Sequence, residues 1–173
     1  MDLDGGTWYF EYVKKAFYRD LFNGVKFYQF KPEDVMTRAM LVTVLWRYAG
    51  QPEAKSADFT DVVQGMWYSQ AVAWAAEQGI VNGVGNGKFD PNGVVTREQL
   101  ATILYRYDYD ATGTDTLPPF VDSDQISTYA LRPMNWAISV GLINGVGGGR
   151  LAPKNTATRA QIATILARYL QNP

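Results

Sequence analysis

Three threonine–arginine pairs stand at regular places along the chain and have the chemistry to bind an anion. They are Thr37-Arg38, Thr96-Arg97 and Thr158-Arg159. A threonine before a run with helical apolar spacing caps the helix, which puts the arginine at the first helical position. A cation there opposes the helix dipole at a cost of roughly 0.3–1 kcal/mol. Backbone N–H groups and a guanidinium that converge on one spot would suit a bound carboxylate or phosphate.

A second interpretation of the arginines needs no ligand. Each arginine can pair with an aspartate from a neighbouring part of the chain, such as Asp61 or Asp122. Asp2 falls in register with these two aspartates. Both interpretations can hold together, because an aspartate can orient an arginine that still offers donors to a ligand. The sequence leaves both open.

A glycine-rich segment before the second pair raises the question of a phosphate-binding loop. Residues 82–88 read NGVGNGK, but only three residues separate Gly83 from Gly87, and Phe89 follows Lys88 where that motif needs Ser or Thr. The dinucleotide fingerprint fails as well, because Lys88 occupies the third glycine position. The glycines at 83 and 85, with those at 145 and 147, are therefore predicted as tight-turn positions close to a neighbour or a ligand.

Aromatic residues mark the predicted starts of another set of helices. Trp8-Tyr9 and Trp67-Tyr68 begin two of them, and we align Tyr129 with the tyrosines and Thr128 with the tryptophans. Such rings can stack on sugars or pack in the core, and the sequence leaves that choice open.

The composition limits the classes of function. The chain has 173 residues with 47% apolar and 14% aromatic residues, which is typical of a folded protein, and its formal charge of −1 gives no electrostatic reason to expect nucleic acid. Cysteine and histidine are both absent, which excludes thiol nucleophiles, disulfides and histidine-based triads. We expect no metal and no cofactor.

An enzyme and a calcium site are both disfavoured. Asp122 and Asp124 are close in sequence, but no nucleophile or metal cluster accompanies them. A calcium loop that began at Asp108 would have Pro119 where it needs a glutamate. No apolar run approaches the ~20 residues that span a bilayer, so we expect no membrane insertion. Since the chain shows no signal peptide of its own, we expect a piece of a longer exported protein.

An internal repeat shows which elements must position these residues. NGVGNGKFDPNGVVTREQLATILYRY (82–107) recurs as NGVGGGRLAPKNTATRAQIATILARY (144–169) and as NGVKFYQFKPEDVMTRAMLVTVLWRY (23–48). A helical block precedes each of these segments. Each complete copy of the repeat therefore consists of a helix, a glycine loop, a turn and a second helix. The predicted bounds of the three copies are 1–49, 57–107 and 119–171.

The repeat predicts a mainly α fold. Helices at 37–48, 96–107 and 158–169 each carry an apolar stripe, such as Leu100, Ile103, Leu104 and Tyr107. We predict that they form a central three-helix bundle around a pseudo-threefold axis, with the first helices and loops projecting around it, as a monomer that acts as a pseudo-trimer. Gln99 and Gln161 predict capping boxes, which Met40 cannot close.

The motifs resemble the S-layer homology domain family as three tandem repeats. The matching segments are MTRAM (36–40), VTREQ (95–99), ATRAQ (157–161), FTD (59–61) and FVD (120–122). The resemblance implies a non-enzymatic, extracellular wall anchor shaped as a three-pronged spindle. Its inter-repeat grooves would bind secondary cell-wall polysaccharide of Gram-positive-type bacteria through a pyruvylated N-acetylmannosamine, whose ketal carboxylate would be the anion. The alternative is a protein–protein docking module of a surface assembly.

The copies depart from the family pattern to different degrees. Its closing glutamate is replaced by Met40, Gln99 and Gln161, and VKFYQF (25–30) replaces the first glycine loop. The middle repeat is therefore the strongest candidate for binding. The candidate ligand-binding residues are Arg38, Arg97, Arg159, Thr37, Thr96, Thr158, Asp2, Asp61, Asp122, Trp8, Trp67, Tyr68, Gly24, Gly83, Gly85, Gly145 and Gly147.

Overall fold

A computed structural model describes residues 2–22, 29–116 and 119–169. The described part contains six α-helices: α1 (Phe10–Tyr18), α2 (Arg38–Tyr48), α3 (Ser69–Glu77), α4 (Arg97–Tyr107), α5 (Leu131–Ser139) and α6 (Arg159–Tyr169). Two short 3-10 turns, Ser123–Gln125 and Thr128–Ala130, precede α5. The predicted mainly α class is confirmed, and α2, α4 and α6 cover the predicted second helices of the three copies.

The local cap signals explain where the second helices begin. Thr96 Oγ1 accepts the N–H of Gln99 at 3.3 Å, and the Gln99 side chain accepts the N–H of Thr96 at 3.1 Å. Thr158 and Gln161 make the same two contacts at 3.3 and 3.2 Å. Thr37 caps α2 through the N–H of Met40, whose side chain has no oxygen to return the bond. Both predicted capping boxes are confirmed, and arginine occupies the first position of each helix.

Each second helix packs against the first helix of the next copy. α2 packs on α3, α4 packs on α5, and α6 of the third copy packs on α1 of the first. Buried residues stand on both helices of each pair: Leu41 in α2 and Val72 in α3, Leu100 in α4 and Met134 in α5, and Ile162 in α6 and Val13 in α1. Neighbouring copies therefore complete each other's core. The central bundle, the threefold axis and the three prongs stay predictions.

The chain divides by its contacts into two compact units. One unit comprises residues up to 94 together with those from 158 onward, and the other comprises residues 95–157. The first unit holds α1, α2, α3 and α6, and the second holds α4 and α5. These boundaries differ from the sequence repeats because α6 packs with the first copy.

Neighbouring repeats meet at three junctions, and each junction lies within one of the two compact units. The first junction joins the start of α2 to residues 82–93 of the second copy. The second junction joins the start of α4 to residues 144–155 of the third copy. The third junction joins the start of α6 to residues 30–34 of the first copy. Isolated antiparallel bridges mark all three: Thr37 with Val94, Thr96 with Thr156, and Thr158 with Val35.

Candidate functional site

The arginine at each helix start is buried and binds the backbone of the next copy. At the second junction, Arg97 is 6% exposed. Its Nε donates to the carbonyl of Leu151 at 2.8 Å, and its Nη2 donates to the carbonyl of Asn144 at 2.6 Å. These two carbonyls lie at the two ends of the glycine loop, so one side chain sets the spacing of the loop ends.

The other two arginines are placed in the same way. Arg38 donates from Nε to Phe89 O at 2.8 Å and from Nη2 to Asn82 O at 3.2 Å. Arg159 donates from Nε to Phe30 O at 2.8 Å. Both guanidinium groups also lie over aromatic rings, at 4.7 Å from the centres of Phe89 and Phe30 respectively. The structure therefore favours a structural role for the three arginines.

The backbone donors at the helix starts are also engaged. In α4, the N–H of Arg97 donates to Asn155 O at 3.0 Å and that of Glu98 donates to Pro153 O at 3.1 Å, while the cap takes the third. Equivalent bonds begin α2, to Gly93 and Pro91, and α6, to Asp34 and Pro32. The expectation that these N–H groups are available to an anion is wrong, because the turn of the next copy supplies carbonyl acceptors.

The three aspartates act on the same loops from inside their own copy. Asp61 accepts the N–H groups of Phe89 and Asp90, both at 2.8 Å. Phe89 thus binds Asp61 through its N–H and Arg38 through its carbonyl, so arginine and aspartate are connected through one residue of the loop. Asp90 has a φ of 58°, a left-handed conformation that these two bonds hold in place. Asp2 repeats the contacts with Phe30 and Lys31, and Asp122 with Leu151 and Ala152.

The charges of this framework are consistent with those bonds. Hydrogen bonds from Leu151 and Ala152, which outweigh partial burial, and the nearby charge of Arg150 lower the pKa of Asp122. Burial raises the pKa of Asp61, but its backbone hydrogen bonds dominate and the net pKa falls below 3.8. Burial lowers the pKa of Arg97 while attraction to Asp122 raises it, with a net decrease. The aspartates are therefore ionised at neutral pH.

The glycine loops form the predicted turns. A Cβ on Gly83 would lie 2.5 Å from Lys88 O and 3.0 Å from a ring carbon of Phe59, so no larger residue fits. Gly85 has a φ of 105°, and its equivalent Gly147 has 102°. Gly145 would bring a Cβ to 3.1 Å from Arg150 O. Gly24 lies outside the described residues.

One aromatic side chain at the start of each first helix is exposed. Trp8, Trp67 and Tyr129 are 61%, 55% and 52% exposed, whereas the residues that follow the tryptophans, Tyr9 and Tyr68, are 8% and 7% exposed. Tyr68 is therefore a core residue, and its ring meets Trp67 edge-on at 5.2 Å between ring centres.

The alignment of the third copy needs a correction of one residue. Arg159 lies 62 residues after Arg97, and Tyr129 lies 62 residues after Trp67. Tyr129 thus corresponds to the tryptophans and not to Tyr68, whose counterpart is the buried Ala130. The shift arises because the third copy has one more residue between its aspartate and this position, where the two 3-10 turns lie.

A buried carboxylate is a feature that the sequence analysis missed. Glu98 is 3% exposed and accepts from the backbone N–H and Oγ of Ser127, from Tyr129 Oη, each at 3.0 Å, and from Lys154 Nζ at 2.6 Å. Burial raises the pKa of Glu98, but these donors outweigh it and hold the pKa below 4.5. The available signal was a glutamate where the other two copies have Ala39 and Ala160.

The described residues give no support to a metal site. Within the described ranges, no group of three acidic, cysteine or histidine side chains is placed to hold an ion. Each helix in that part of the chain is too short or too polar to cross a bilayer.

Comparison with known protein families shows which family the chain belongs to. A model of the S-layer homology domain matches residues 2–39, 58–101 and 119–163. The chain belongs to the S-layer homology domain family. The three matched ranges follow the three copies of the repeat, so the predicted family and the number of repeats are confirmed.

The relatives of this chain include an enzyme, a surface-layer protein and an anchoring protein. An endoglucanase of Bacillus sp. (strain KSM-635) is 32% identical over 98% of this chain and 18% of its own length. The S-layer protein sap of Bacillus anthracis is 31% identical over 80% of this chain and 17% of its own length. A cellulosome-anchoring protein of Acetivibrio thermocellus is 25% identical over 82% and 33%. The chain thus spans a third or less of these relatives.

The family indicates a module for association with the bacterial cell surface. Surface-layer and anchoring proteins share these repeats, and the enzymes among the relatives are matched over a minor part of their length. The S-layer homology repeats therefore point to an anchoring module and not to a catalytic one.

Proposed function

We propose that the chain anchors an exported protein non-covalently to the cell wall by binding a secondary cell-wall polysaccharide. The ligand unit is a sugar with an anionic pyruvyl ketal, bound at the junctions between repeats. The exposed aromatic rings, the glycine loops and the cations beside them form the contact surface.

The observation that carries the proposal is the exposure of an aromatic ring at the same place in all three copies. Trp8, Trp67 and Tyr129 each leave more than half of their surface in water. Burying a large apolar side chain stabilises a fold by about 1.5–3 kcal/mol, so folding gives no reason to expose these three. A rigid ring with an accessible face is a common anchor in binding surfaces, and the apolar face of a sugar can stack on it.

The loops add polar groups and positive charge to this surface. Lys88 and Arg150 are exposed at equivalent positions of the second and third glycine loops. A carboxylate on the sugar can bind such cations through charge-assisted hydrogen bonds. Arg38 and Arg97 contribute indirectly in this proposal, because they hold the loop ends at the spacing that the ligand meets.

Binding to purified cell walls tests the proposal. We expect the chain to sediment with walls that keep their secondary polymer. We also expect binding to fall when the polymer is stripped but the peptidoglycan is kept, and when the pyruvyl groups alone are removed. Because the contact involves charge, binding should weaken as salt rises. Undiminished binding to stripped walls would contradict the proposal, and binding to a wall protein instead would support a docking module.

A matched pair of variants identifies the surface. The triple variant Trp8→Ala, Trp67→Ala and Tyr129→Ala should lose wall binding and stay folded, because the three rings are exposed and Glu98 keeps its other donors when the Tyr129 hydroxyl is removed. Tyr109→Ala is the control, since Tyr109 is fully exposed and follows the end of α4 instead of standing at the start of a first helix. Equal binding by the triple variant and the control would contradict the role of the rings.

A further inference from the structure

We infer that Glu98 is a positioning residue that fixes the ring of Tyr129 and the ammonium of Lys154 as one site for the anionic sugar at the second junction. The inference rests on the proposed function and adds the residues that make this junction differ from the other two.

Glu98 connects three parts of the chain. It lies in the first turn of α4, while Ser127 and Tyr129 lie before α5 and Lys154 follows the third glycine loop. The carboxylate receives four hydrogen bonds from these three residues. A buried carboxylate with that many donors has one favourable position, so the groups that bind it are held in place as well.

The ammonium of Lys154 is the outward end of this cluster. The side chain of Glu98 is 4% exposed and that of Lys154 is 50% exposed, so the negative charge lies inside and the positive charge faces water. Two of the three ammonium donors are engaged, by Glu98 Oε1 and Ser127 Oγ. The third donor can bind a carboxylate that approaches from solvent.

Tyr129 supplies the adjacent aromatic face. Its hydroxyl donates to Glu98 at 3.0 Å while the residue as a whole stays 52% exposed. The hydroxyl contact holds the end of the side chain in one place and so restrains its χ1 rotamer, which means that less conformational entropy is lost when a sugar stacks on the ring. Trp8 and Trp67 occupy the equivalent positions, but neither has a glutamate at the equivalent helix position.

The other junctions lack the rest of the cluster. In place of Glu98, Ser127 and Lys154, the first junction has Ala39, Gly65 and Asn92, and the third has Ala160, Gly6 and Glu33. The substitutions Glu98→Ala and Lys154→Asn therefore install residues that the same fold already accepts at the first junction. This makes them suitable tests of binding without a change of fold.

Calorimetric titration of the full chain separates the roles. The probes are the methyl glycoside of pyruvylated N-acetylmannosamine and the same glycoside without the pyruvyl group. We expect Lys154→Asn to weaken the tightest binding of the pyruvylated probe about tenfold, the value of one charge-assisted contact, and to leave the other probe within about twofold. Glu98→Ala keeps the ring of Tyr129 and the ammonium of Lys154, yet it should weaken the binding of both probes about threefold to tenfold, because these two groups are no longer held in place. Glu98→Gln keeps an oxygen for Tyr129 and should lose less.

Lys14→Asn removes an exposed lysine whose ammonium lies 3.8 Å from Glu11 on α1, and it should bind both probes like the wild type. Wild-type affinity in folded Lys154→Asn and Glu98→Ala would overturn the inference and leave the proposed function intact. Failure of the wild type to bind the pyruvylated probe would overturn both.

Discussion

The first and second junctions share one set of contacts and differ in another. Both have a buried arginine on two loop carbonyls and an aspartate that binds the same loop from its own copy. Only the second adds a buried glutamate with a lysine and a tyrosine around it. The contacts that join neighbouring repeats therefore recur at both junctions. The residues that differ between the junctions are the candidates for determining which ligand is bound.

The shared contacts explain why arginine stands at an unfavourable helix position. A cation at the start of a helix costs roughly 0.3–1 kcal/mol, whereas each buried carbonyl left without a donor costs about 1–3 kcal/mol. Arg97 satisfies one such carbonyl, that of Leu151, and also donates to the partly buried carbonyl of Asn144. The hydrogen bonds outweigh the dipole, so no ligand is needed to explain the residue.

The largest expected effect is that of removing a shared arginine. Arg97→Ala should lower the free energy of unfolding by about 3 kcal/mol, because the carbonyls of Leu151 and Asn144 lose their donors. Arg38→Ala should cost a similar amount, and Arg97→Lys should recover part of the loss, since an ammonium cannot reproduce the planar fork. Chemical denaturation measures all three. An unchanged midpoint for Arg97→Ala would contradict the structural role.

Low pH should reduce folding stability through the aspartates that all three junctions share and through Glu98, which only the second junction has. The pKa values of Asp2, Asp61, Asp122 and Glu98 are all lowered in the folded state. Their stabilisation is therefore present above their unfolded pKa values near 4 and is lost as the pH falls through the lower folded values. We expect the midpoint temperature of thermal unfolding to decrease as the pH is lowered below about 4. The decrease should be smaller in Glu98→Ala than in the wild type. Equal slopes in both proteins would show that Glu98 has no lowered pKa.

A smaller effect is expected from the cap. Thr96→Ala should destabilise the protein by about 1 kcal/mol through loss of the contact with the Gln99 N–H. Thr37→Ala provides the comparison at the first junction. Urea unfolding of both variants tests this, and no change for Thr96→Ala would mean that the cap contributes nothing to stability.

The smallest effect concerns the closing residue of the capping box. Gln99→Met installs the residue that the first copy has at Met40, and it removes one half-buried hydrogen bond. The expected cost is about 0.5 kcal/mol. If Gln99→Met were as harmful as Thr96→Ala, the difference between the caps of α2 and α4 would matter more than the hydrogen bonds suggest.

The sequence predicted what depends on neighbouring residues and missed what depends on distant ones. Helix starts at Arg38, Arg97 and Arg159 follow from caps of four residues, which a sequence displays directly. The acceptors of Arg38 and Arg97 are backbone carbonyls 51 and 54 residues away, and no residue type marks a carbonyl as an acceptor. Side-chain chemistry alone therefore indicates a ligand or an aspartate as the partner of each arginine, and not a backbone carbonyl.

The candidate site shows the same limit. The glycine turns could be predicted because glycine marks unusual backbone conformations, and Gly85 and Gly147 have the expected positive φ. The exposure of Trp8 and Trp67 could not be predicted, because an aromatic residue at a helix start can equally well pack in the core. Glu98 was missed because a glutamate in a first helical turn is ordinarily a solvated residue that favours the dipole.

One measurement tests the central claim that the arginines hold the loops while Tyr129 and Lys154 meet the ligand. It is an NMR titration of the isotopically labelled chain with the pyruvylated glycoside, observing backbone amides and arginine Nε–H groups together. The account predicts that the largest shifts fall at Ser127, Tyr129 and Lys154, and that the Nε–H signals of Arg38, Arg97 and Arg159 keep their positions because carbonyls hold them. A large shift of the Arg97 Nε–H with Lys154 unmoved would contradict the account and return the carboxylate to the arginine.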